Sequence, residues 1–208
     1  MRTIAAILLA AATAVCAAPP ATIALPPPDT KTGMPLMQAL AKRHSTREFA
    51  AKPLPLDVLS NLLWAADGVN RPDGHRTAPS AMNWQTVDVY VVLPDAAYLY
   101  NAKDHRLELV AAGDLRPLTG RQPFPATAPL NLVYVSDFAK MRGVSDADRL
   151  LYGGAETGFI GQNAYLYCAS AGLNTVVRAM IDRDALAKPL RLRPDQRITL
   201  SQTVGYPR

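Results

Sequence analysis

The spacing of hydrophobic and polar residues predicts helices that bracket a small, mostly antiparallel sheet. Apolar residues that recur every three or four positions indicate helices, and short apolar or alternating runs between turn residues indicate strands. The predicted helices are residues 35–43, 56–66, 149–171 and 184–190, and the predicted strands are residues 87–92, 98–100, 107–110, 130–135, 174–180 and 198–204. Residues 98–100 and 107–110 form a hairpin, and residues 69–82, rich in Gly, Pro and Asn, form a loop. The expected fold class is therefore α+β.

The longest predicted helix, residues 149–171, is almost entirely apolar or small between Phe159 and Ala169. A helix that is hydrophobic on every face is buried on every side. A chain of 208 residues forms one domain with an adequate core, but a domain of this size has little interior to spare. We therefore expect a second subunit to bury one face of this helix.

The N-terminus resembles an export signal. A short positive region is followed by an apolar stretch at residues 4–15 and by small or branched residues before Ala18. This pattern predicts a signal peptide, residues 1–17, that is cleaved on export to the periplasm or the exterior. The alternative is a buried N-terminal helix. Lipid attachment at Cys16 is disfavoured, because the expected Leu is missing three positions before it.

Residues 18–33 follow the signal as a proline-rich tether. Prolines have no backbone N–H, and they interrupt both helices and central strands. We therefore expect residues 19–28 to form neither a regular helix nor a paired strand. Residues 34–208 then form the single folded domain.

Composition excludes several classes of protein. Hydrophobic residues make up 49% of the chain, as in folded globular proteins, and no apolar stretch after the signal is long enough to span a membrane. A net charge of +5 without a dense basic run among aromatics gives no reason to expect nucleic-acid binding. The three histidines, His44, His75 and His105, lack the spacing of metal ligands. After cleavage only Cys168 remains, which precludes an internal disulfide, and its apolar surroundings predict a packed core residue.

The first cluster of chemically useful residues lies at the end of the first predicted helix and comprises Arg43, His44, Ser45 and Arg47. The planar guanidinium group donates paired, charge-assisted hydrogen bonds, which suits phosphate. A serine hydroxyl adds a neutral donor. Cations at a helix C-terminus are also favourable for the helix dipole alone, and the residues by themselves leave both interpretations open.

The second cluster leads into the strand at Val87 and comprises Pro79, Ser80, Asn83 and Gln85. Side-chain amides carry both donors and acceptors, which matches the alternating edge of a planar heterocycle such as a flavin. The alternative is an ordinary polar turn.

The third cluster follows the long helix, which we expect to end at Gly172. The next strand carries Val177, Arg178, Ala179 and Met180. Backbone donors at the end of such a strand can approach a cofactor closely. The alternative is a glycine that ends a helix, followed by a core strand.

Together the three clusters resemble the FMN-dependent nitroreductase superfamily. The matching stretches are Arg-His-Ser-Thr-Arg at 43–47, Pro-Ser-Ala-x-Asn-x-Gln at 79–85, Gly-Gln-Asn-x-Tyr-Leu at 161–166, Gly-Leu-x-Thr-Val at 172–176 and Val-Gly-Tyr-Pro at 204–207. The resemblance covers residues 37–207. The sequence Arg-Thr-Ala-Pro-Ser-Ala at 76–81 looks closest to the azoline-oxidase-like branch, which contains thiazole- and oxazole-forming oxidases.

The resemblance implies a nitroreductase-like fold and an intertwined homodimer with two FMN sites at its interface. By this resemblance, the phosphate and ribityl chain of FMN are held by Arg43, His44, Ser45 and Arg47; a flavin ring held mainly by the partner chain is contacted by Pro79, Ser80, Asn83 and Gln85; and the ring lies along Val177, Arg178, Ala179 and Met180. Relatives supply a basic residue to the phosphate beyond the position of Gly205, and Arg208 is the candidate here.

Two residues depart from the pattern of many nitroreductases. Those proteins have Glu-Gly where this chain has Ala179 and Met180, so a side-chain contact is lost. A backbone amide close to flavin N5 is still implied. No catalytic side chain is implied, because the cofactor carries out the redox chemistry.

The resemblance and the signal together predict an exported FMN-dependent oxidoreductase that transfers hydride or electrons through flavin N5 between a small-molecule donor and acceptor. Nicotinamide cofactors are cytoplasmic, so the donor would differ from the family's usual one, or oxygen or a quinone would be the acceptor. Residues 95–128, where the family's substrate lid lies, are short, which indicates an open site or one closed by the partner. The alternatives are a non-catalytic flavin-binding protein that retains the fold and a flavin-fragmenting or dehalogenating relative.

Overall fold

The computed structural model describes residues 18–208, so the predicted signal peptide and Cys16 lie outside the described residues. The strands are β1 (Thr22–Ala24), β2 (Val87–Val92), β3 (Ala96–Asn101), β4 (Arg106–Ala112), β5 (Leu130–Asp137), β6 (Asn174–Arg178) and β7 (Gln196–Gly205). The helices are α1 (Leu36–Lys42), α2 (Leu56–Asp67), α3 (Phe124–Thr127), α4 (Asp146–Ala171) and α5 (Arg183–Ala187). The described strands form one sheet in the order β1-β4-β3-β2-β5-β7-β6, and every pairing is antiparallel.

Both faces of the sheet are covered, and the alternation of side chains along the central strands decides which residue faces which side. On β2, Val87, Val89 and Val91 point into a core shared with α2 and α4. Tyr90 and Val92 point to the opposite face, which α5 covers. Burial on both sides explains why the central strands are nearly continuous apolar runs in the sequence.

Helix α4 packs against α2 and against one face of the sheet. Ser145 caps its N-terminus by accepting the N–H of Asp148, which begins the helix three residues before its predicted start. Gly172 ends it in the left-handed conformation with φ 68°, as predicted. Cys168 is fully buried in this helix, and burial raises the pKa of its thiol to about 12. The prediction of a packed core cysteine is confirmed.

The predicted fold class is confirmed: the described residues form an antiparallel sheet flanked by helices. Every predicted helix and strand is present, with ends within three residues of the predicted ones. Strand β6 ends at Arg178 and not at Met180, because the chain turns away from β7 at this point. The hydrophobic pattern does not predict β1 or α3.

The expectation that residues 19–28 form no paired strand is wrong. Strand β1 pairs with β4 at the edge of the sheet, with Ile23 opposite Leu107. The pairing is possible because the prolines flank the three paired residues and leave their N–H groups intact. Leu25 is then buried, and its N–H donates to the carbonyl oxygen of His105 at 3.2 Å. Part of the predicted tether therefore belongs to the sheet.

His105 fastens this N-terminal stretch to α2. Its Nε2 lies 2.7 Å from Ser60 Oγ and 3.1 Å from the carbonyl oxygen of Pro26, and its Nδ1 lies 2.9 Å from Tyr100 Oη. Burial lowers the pKa of His105 below its ordinary value. The folded chain therefore favours the neutral imidazole.

We expect His105 to make the fold less stable in mild acid. The unfolded chain binds a proton to this residue more readily, so the free energy of unfolding falls as the pH drops below the ordinary histidine pKa of about 6.5. Urea denaturation at about pH 7 and about pH 5 should show that the free energy of unfolding falls less between these pH values in His105→Gln than in the wild type. Exposed His44→Gln is the control, and an equal loss in His105→Gln and the wild type would contradict the prediction.

Candidate functional site

The first cluster lies where α1 ends, against the side of α4. The guanidinium carbon of Arg43 lies 5.2 Å from the centre of the Tyr165 ring. Ser45 Oγ lies 2.7 Å from Tyr165 Oη. His44 is exposed, and its Nδ1 lies 2.7 Å from the carbonyl oxygen of Lys42, so its imidazole is engaged within its own turn.

Tyr165 joins this cluster to the free edge of β6. The N–H of Val177 donates to Tyr165 Oη at 2.9 Å, and the N–H of Thr46 donates to the carbonyl oxygen of Thr175 at 3.1 Å. Both bonds use groups that point away from β7, because alternate residues of an edge strand face outward. The end of α1 and the edge of β6 are therefore held as one unit.

The backbone immediately after β6 offers free donors. Ala179 and Met180 are both exposed. Their carbonyl oxygens accept the N–H groups of Ile181 at 2.9 Å and Arg121 at 3.0 Å respectively. Their own N–H groups find no acceptor among residues 18–208. This end of the edge strand can therefore bind an acceptor from outside the chain.

The side chain of Arg178 does not reach this surface. It is 5% exposed, and it donates to the carbonyl oxygen of Thr119 at 2.7 Å, to Asn131 Oδ1 at 2.9 Å and to Thr203 Oγ1 at 2.7 Å. Burial lowers its pKa to about 10. Since the side chain is buried and these acceptors engage both terminal nitrogens of its guanidinium group, only the backbone of Arg178 can take part in the predicted contact with a ligand.

Arg47 and Arg208 line the same depression, whose volume is about 230 Å³. Phe49 and Phe124, which stack with ring centres 5.7 Å apart, also line it, together with Glu48, Pro123 and Thr127. The two guanidinium groups can donate paired, charge-assisted hydrogen bonds to an anion. The structure therefore brings together two predicted residues that are far apart in sequence.

The second cluster forms a strained loop, residues 80–85, in front of β2. Met82, Asn83 and Gln85 have φ angles of 51°, 52° and 50°, a left-handed conformation that is costly for residues other than glycine. Ser80 Oγ accepts the N–H of Gln85 at 2.8 Å, and Gln85 Nε2 donates to Asn83 Oδ1 at 3.1 Å. Pro79 and Asn83 are exposed. Strain of this kind is concentrated at functional sites.

A buried glutamate outside the three predicted clusters holds this loop. Glu156 of α4 accepts hydrogen bonds from Ser80 Oγ at 2.6 Å, from Thr86 Oγ1 at 3.0 Å and from the N–H of Val87 at 3.0 Å. Tyr165 is likewise missing from the predicted site. A carboxylate in an otherwise apolar helical stretch is the signal that could have revealed Glu156.

The two residues of α4 divide the predicted site into two halves. Tyr165 and Glu156 are nine residues apart in the helix. At 1.5 Å and about 100° per residue, they lie about 13 Å apart along the axis and on opposite rims of its buried face. One chain therefore holds the first and third clusters together at one place and the strained loop at another.

The outward face of α4 is apolar and uncovered within residues 18–208. Leu151 is 66% exposed and Phe159 is 46% exposed. Between them, Gly154 and Gly158 leave open space where a side chain would lie. The expectation that the helix needs a further partner for one face agrees with this exposure, because soluble single chains rarely leave such faces uncovered. No described helix is long and apolar enough to cross a membrane.

Three comparisons relate the chain to known proteins. The model of the Nitroreductase family matches residues 40–206. MJ1384 of Methanocaldococcus jannaschii, named as a nitroreductase, is 32% identical over 160 residues, which cover 72% of this chain and 81% of that protein. A crystal structure of a Ralstonia eutropha JMP134 protein, also named as a nitroreductase, is 48% identical with a TM-score of 0.87, over 91% of this chain and 90% of that chain.

A second solved structure extends the likeness of fold. The E. coli microcin synthetase complex McbBCD contains a chain that is 21% identical with a TM-score of 0.68, over 85% of this chain and 75% of that chain. At this level of identity the likeness concerns the fold alone.

Removing the Tyr165 hydroxyl should destabilise the chain. Tyr165→Phe leaves the half-buried N–H of Val177 without its acceptor, which costs about 0.5–1.5 kcal/mol, the net contribution of a typical hydrogen bond. Tyr167→Phe is a matched control on the same helix, since its hydroxyl donates to the carbonyl oxygen of Val58 at 3.2 Å and holds no strand edge. Urea denaturation measures both variants, and equal effects would show that Tyr165 has no special part.

Proposed function

The chain belongs to the nitroreductase family, and on that basis we propose that it is an FMN-dependent oxidoreductase that works as a homodimer. When bound, FMN would supply hydride or electron transfer at its N5. The observation that carries the proposal is the pair of free N–H groups at Ala179 and Met180, together with the arginine-lined depression. Donors of these two kinds are what a flavin ring and a phosphate each need.

The donor set fits the cofactor at its phosphate end. Arg47 and Arg208 would hold the phosphate in their depression, with Arg43 on the α1 side. The hydroxyl of Tyr165 accepts from Val177, so its own hydrogen is available for Ser45. The Ser45 hydroxyl then keeps its hydrogen for the ligand. Tyr165 would thus orient a neutral donor toward the phosphate or ribityl chain.

The donor set also fits the ring end, although two family residues differ. Ala179 and Met180 offer no polar side chain, but their N–H groups are free. A backbone donor at this point needs no particular side chain, so the replacement of Glu-Gly leaves it in place. Substrate choice would then depend on residues around the ring and not on a side chain of β6.

The division of the site along α4 supports the homodimer. The strained loop lies at the Glu156 end of α4, whereas the phosphate and β6 residues lie at the Tyr165 end. A second copy packed on the uncovered face with Leu151 and Phe159 would bring its loop to this chain's flavin. Each site would then be built from two chains.

We also propose that the protein is exported after cleavage before Ala18, as its first residues indicate. The electron donor would then be something other than a nicotinamide cofactor, or the enzyme would be an oxidase that passes electrons to oxygen or a quinone. We further propose that the chain is related to the azoline oxidases, on the basis of the sequence of residues 76–81.

FMN binding is the direct test of this function. The purified protein should bind FMN with 1:1 stoichiometry per chain, and Arg43→Ala and Arg47→Ala should each weaken binding by about 1.5–3 kcal/mol, the range for hydrogen bonds to charged groups. Titration followed by quenching of FMN fluorescence measures the affinity.

The matched control is Lys103→Ala, an exposed cation in the β3–β4 turn, near the sheet edge opposite β6. It should leave the affinity unchanged. Wild-type affinity in the Arg43→Ala, Arg47→Ala double variant would show that the phosphate lies elsewhere. A protein that stays colourless after incubation with FMN would refute the proposed function.

Mixed dimers test whether two chains build each site. If they do, a dimer of one Arg47→Ala chain and one Asn83→Ala chain has one intact site and one site with both defects. Half of its sites should therefore bind FMN with wild-type affinity, whereas each parent homodimer binds weakly at both. Differently tagged chains allow the mixed dimer to be purified, and weakened binding at all of its sites would contradict the arrangement.

A further inference from the structure

We propose that Glu156 is a positioning residue for the ring side of the site, and that it holds residues 80–85 in the strained conformation that presents Asn83 and Gln85. The inference rests on the proposed function, because it assigns the loop to a flavin. Its evidence is independent of that proposal, because it comes from the contacts of Glu156, which is not one of the predicted site residues.

The carboxylate of Glu156 fastens the loop on both sides. One oxygen, Oε2, accepts from Ser80 Oγ before the strained residues and from Thr86 Oγ1 after them. The other oxygen, Oε1, accepts the N–H of Val87, the first residue of β2. Glu156 is 4% exposed, so these bonds form away from competing water. The carboxylate therefore closes a ring of contacts around residues 81–85.

Side-chain packing contributes little to holding Met82 and Asn83. Met82 is 81% exposed and Asn83 is exposed, so packing does not enforce their left-handed backbone. Each such residue costs of order 1–3 kcal/mol and persists only where its surroundings determine it. Besides Glu156, the loop is held by Lys140 Nζ, which donates to the carbonyl oxygen of Gln85 at 3.0 Å, and by the bond from Gln85 Nε2 to the carbonyl oxygen of Gly74 at 2.9 Å.

Three donors converge on this one side chain, which is why a carboxylate suits the position. A carboxylate is an acceptor at both oxygens, whereas an amide turns one end into a donor. In Glu156→Gln, the amide nitrogen either faces the N–H of Val87, which then has no acceptor, or faces the hydroxyls of Ser80 and Thr86, which must turn and accept instead of donating. The substitution keeps the size of the side chain and changes only its hydrogen bonding.

The experiment compares Glu156→Gln with the wild-type protein in two measurements. Hydrogen exchange by mass spectrometry should show exchange about tenfold faster in peptides that cover residues 80–87, because hydrogen bonds to a neutral amide are weaker than those to a carboxylate. FMN titration should show an affinity about tenfold weaker, and the visible absorption bands of bound FMN should shift toward those of free FMN. The matched control is Glu108→Gln, which neutralises a solvent-accessible glutamate that forms an ion pair with Arg106 on β4. It should change neither measurement.

Ser80→Ala provides a milder second variant in case Glu156→Gln does not fold. It removes one donor to Glu156 and the acceptor for the N–H of Gln85, so exchange in residues 80–87 should again be faster. Unchanged exchange in the variant that folds would overturn the anchoring.

The remaining outcomes separate the two proposals. Faster exchange with unchanged FMN affinity and unchanged bands would overturn the positioning role and leave the proposed function intact. A wild-type protein that binds no FMN would overturn both proposals. A loss of stability alone would not shift the absorption bands of bound FMN, so the spectrum distinguishes positioning from stability.

Discussion

The hydrogen bond from the Val177 N–H to the Tyr165 hydroxyl is the contact on which the candidate site depends. An edge strand presents backbone groups that must find partners, and β6 is the last strand of its sheet. Tyr165 satisfies one of these groups, and its remaining hydrogen-bonding capacity goes to Ser45. A core helix, an edge strand and the end of α1 are thereby fixed to one another. The free N–H groups at Ala179 and Met180 lie directly beyond this junction.

Helix α4 organises the other half of the site through the same kind of bond. Glu156 satisfies three donors at the start of β2, as Tyr165 satisfies the donor on β6. Because the two residues lie on opposite rims of the helix, the halves are separated within one chain. The uncovered apolar face of α4 gives a physical reason to bring a second copy to it. In the proposed homodimer, symmetry would place each loop beside the phosphate-binding residues proposed for the partner.

The sequence predicts the fold well wherever burial follows a local period. The bounds of β2 agree in full, because Val87–Val92 is buried on both faces and is apolar at every position except Asp88. The sequence does not predict β1, because pairing at an edge depends on the open side of β4 and not on the three residues of β1 themselves. The residue types of the first cluster and the end of α4 at Gly172 are likewise visible in sequence.

Other features of the site depend on distant partners and leave no local trace. Arginine is a residue type that often binds ligands, yet the guanidinium group of Arg178 donates to Thr119, Asn131 and Thr203 in three other segments. Glu156 meets Ser80 across a sequence separation of 76 residues. The meeting of Arg47 with Arg208 likewise needs the folded chain. Sequence reasoning could name candidate residues, but it could not decide which side chains face the ligand.

A crystal structure of the FMN-loaded protein tests the central claim most directly. We expect the phosphate between Arg47 and Arg208, the ring along the N–H groups of Ala179 and Met180, and the strained loop of the partner subunit against the ring. FMN bound away from the end of β6, or held within one chain with no contribution from the second, would contradict it.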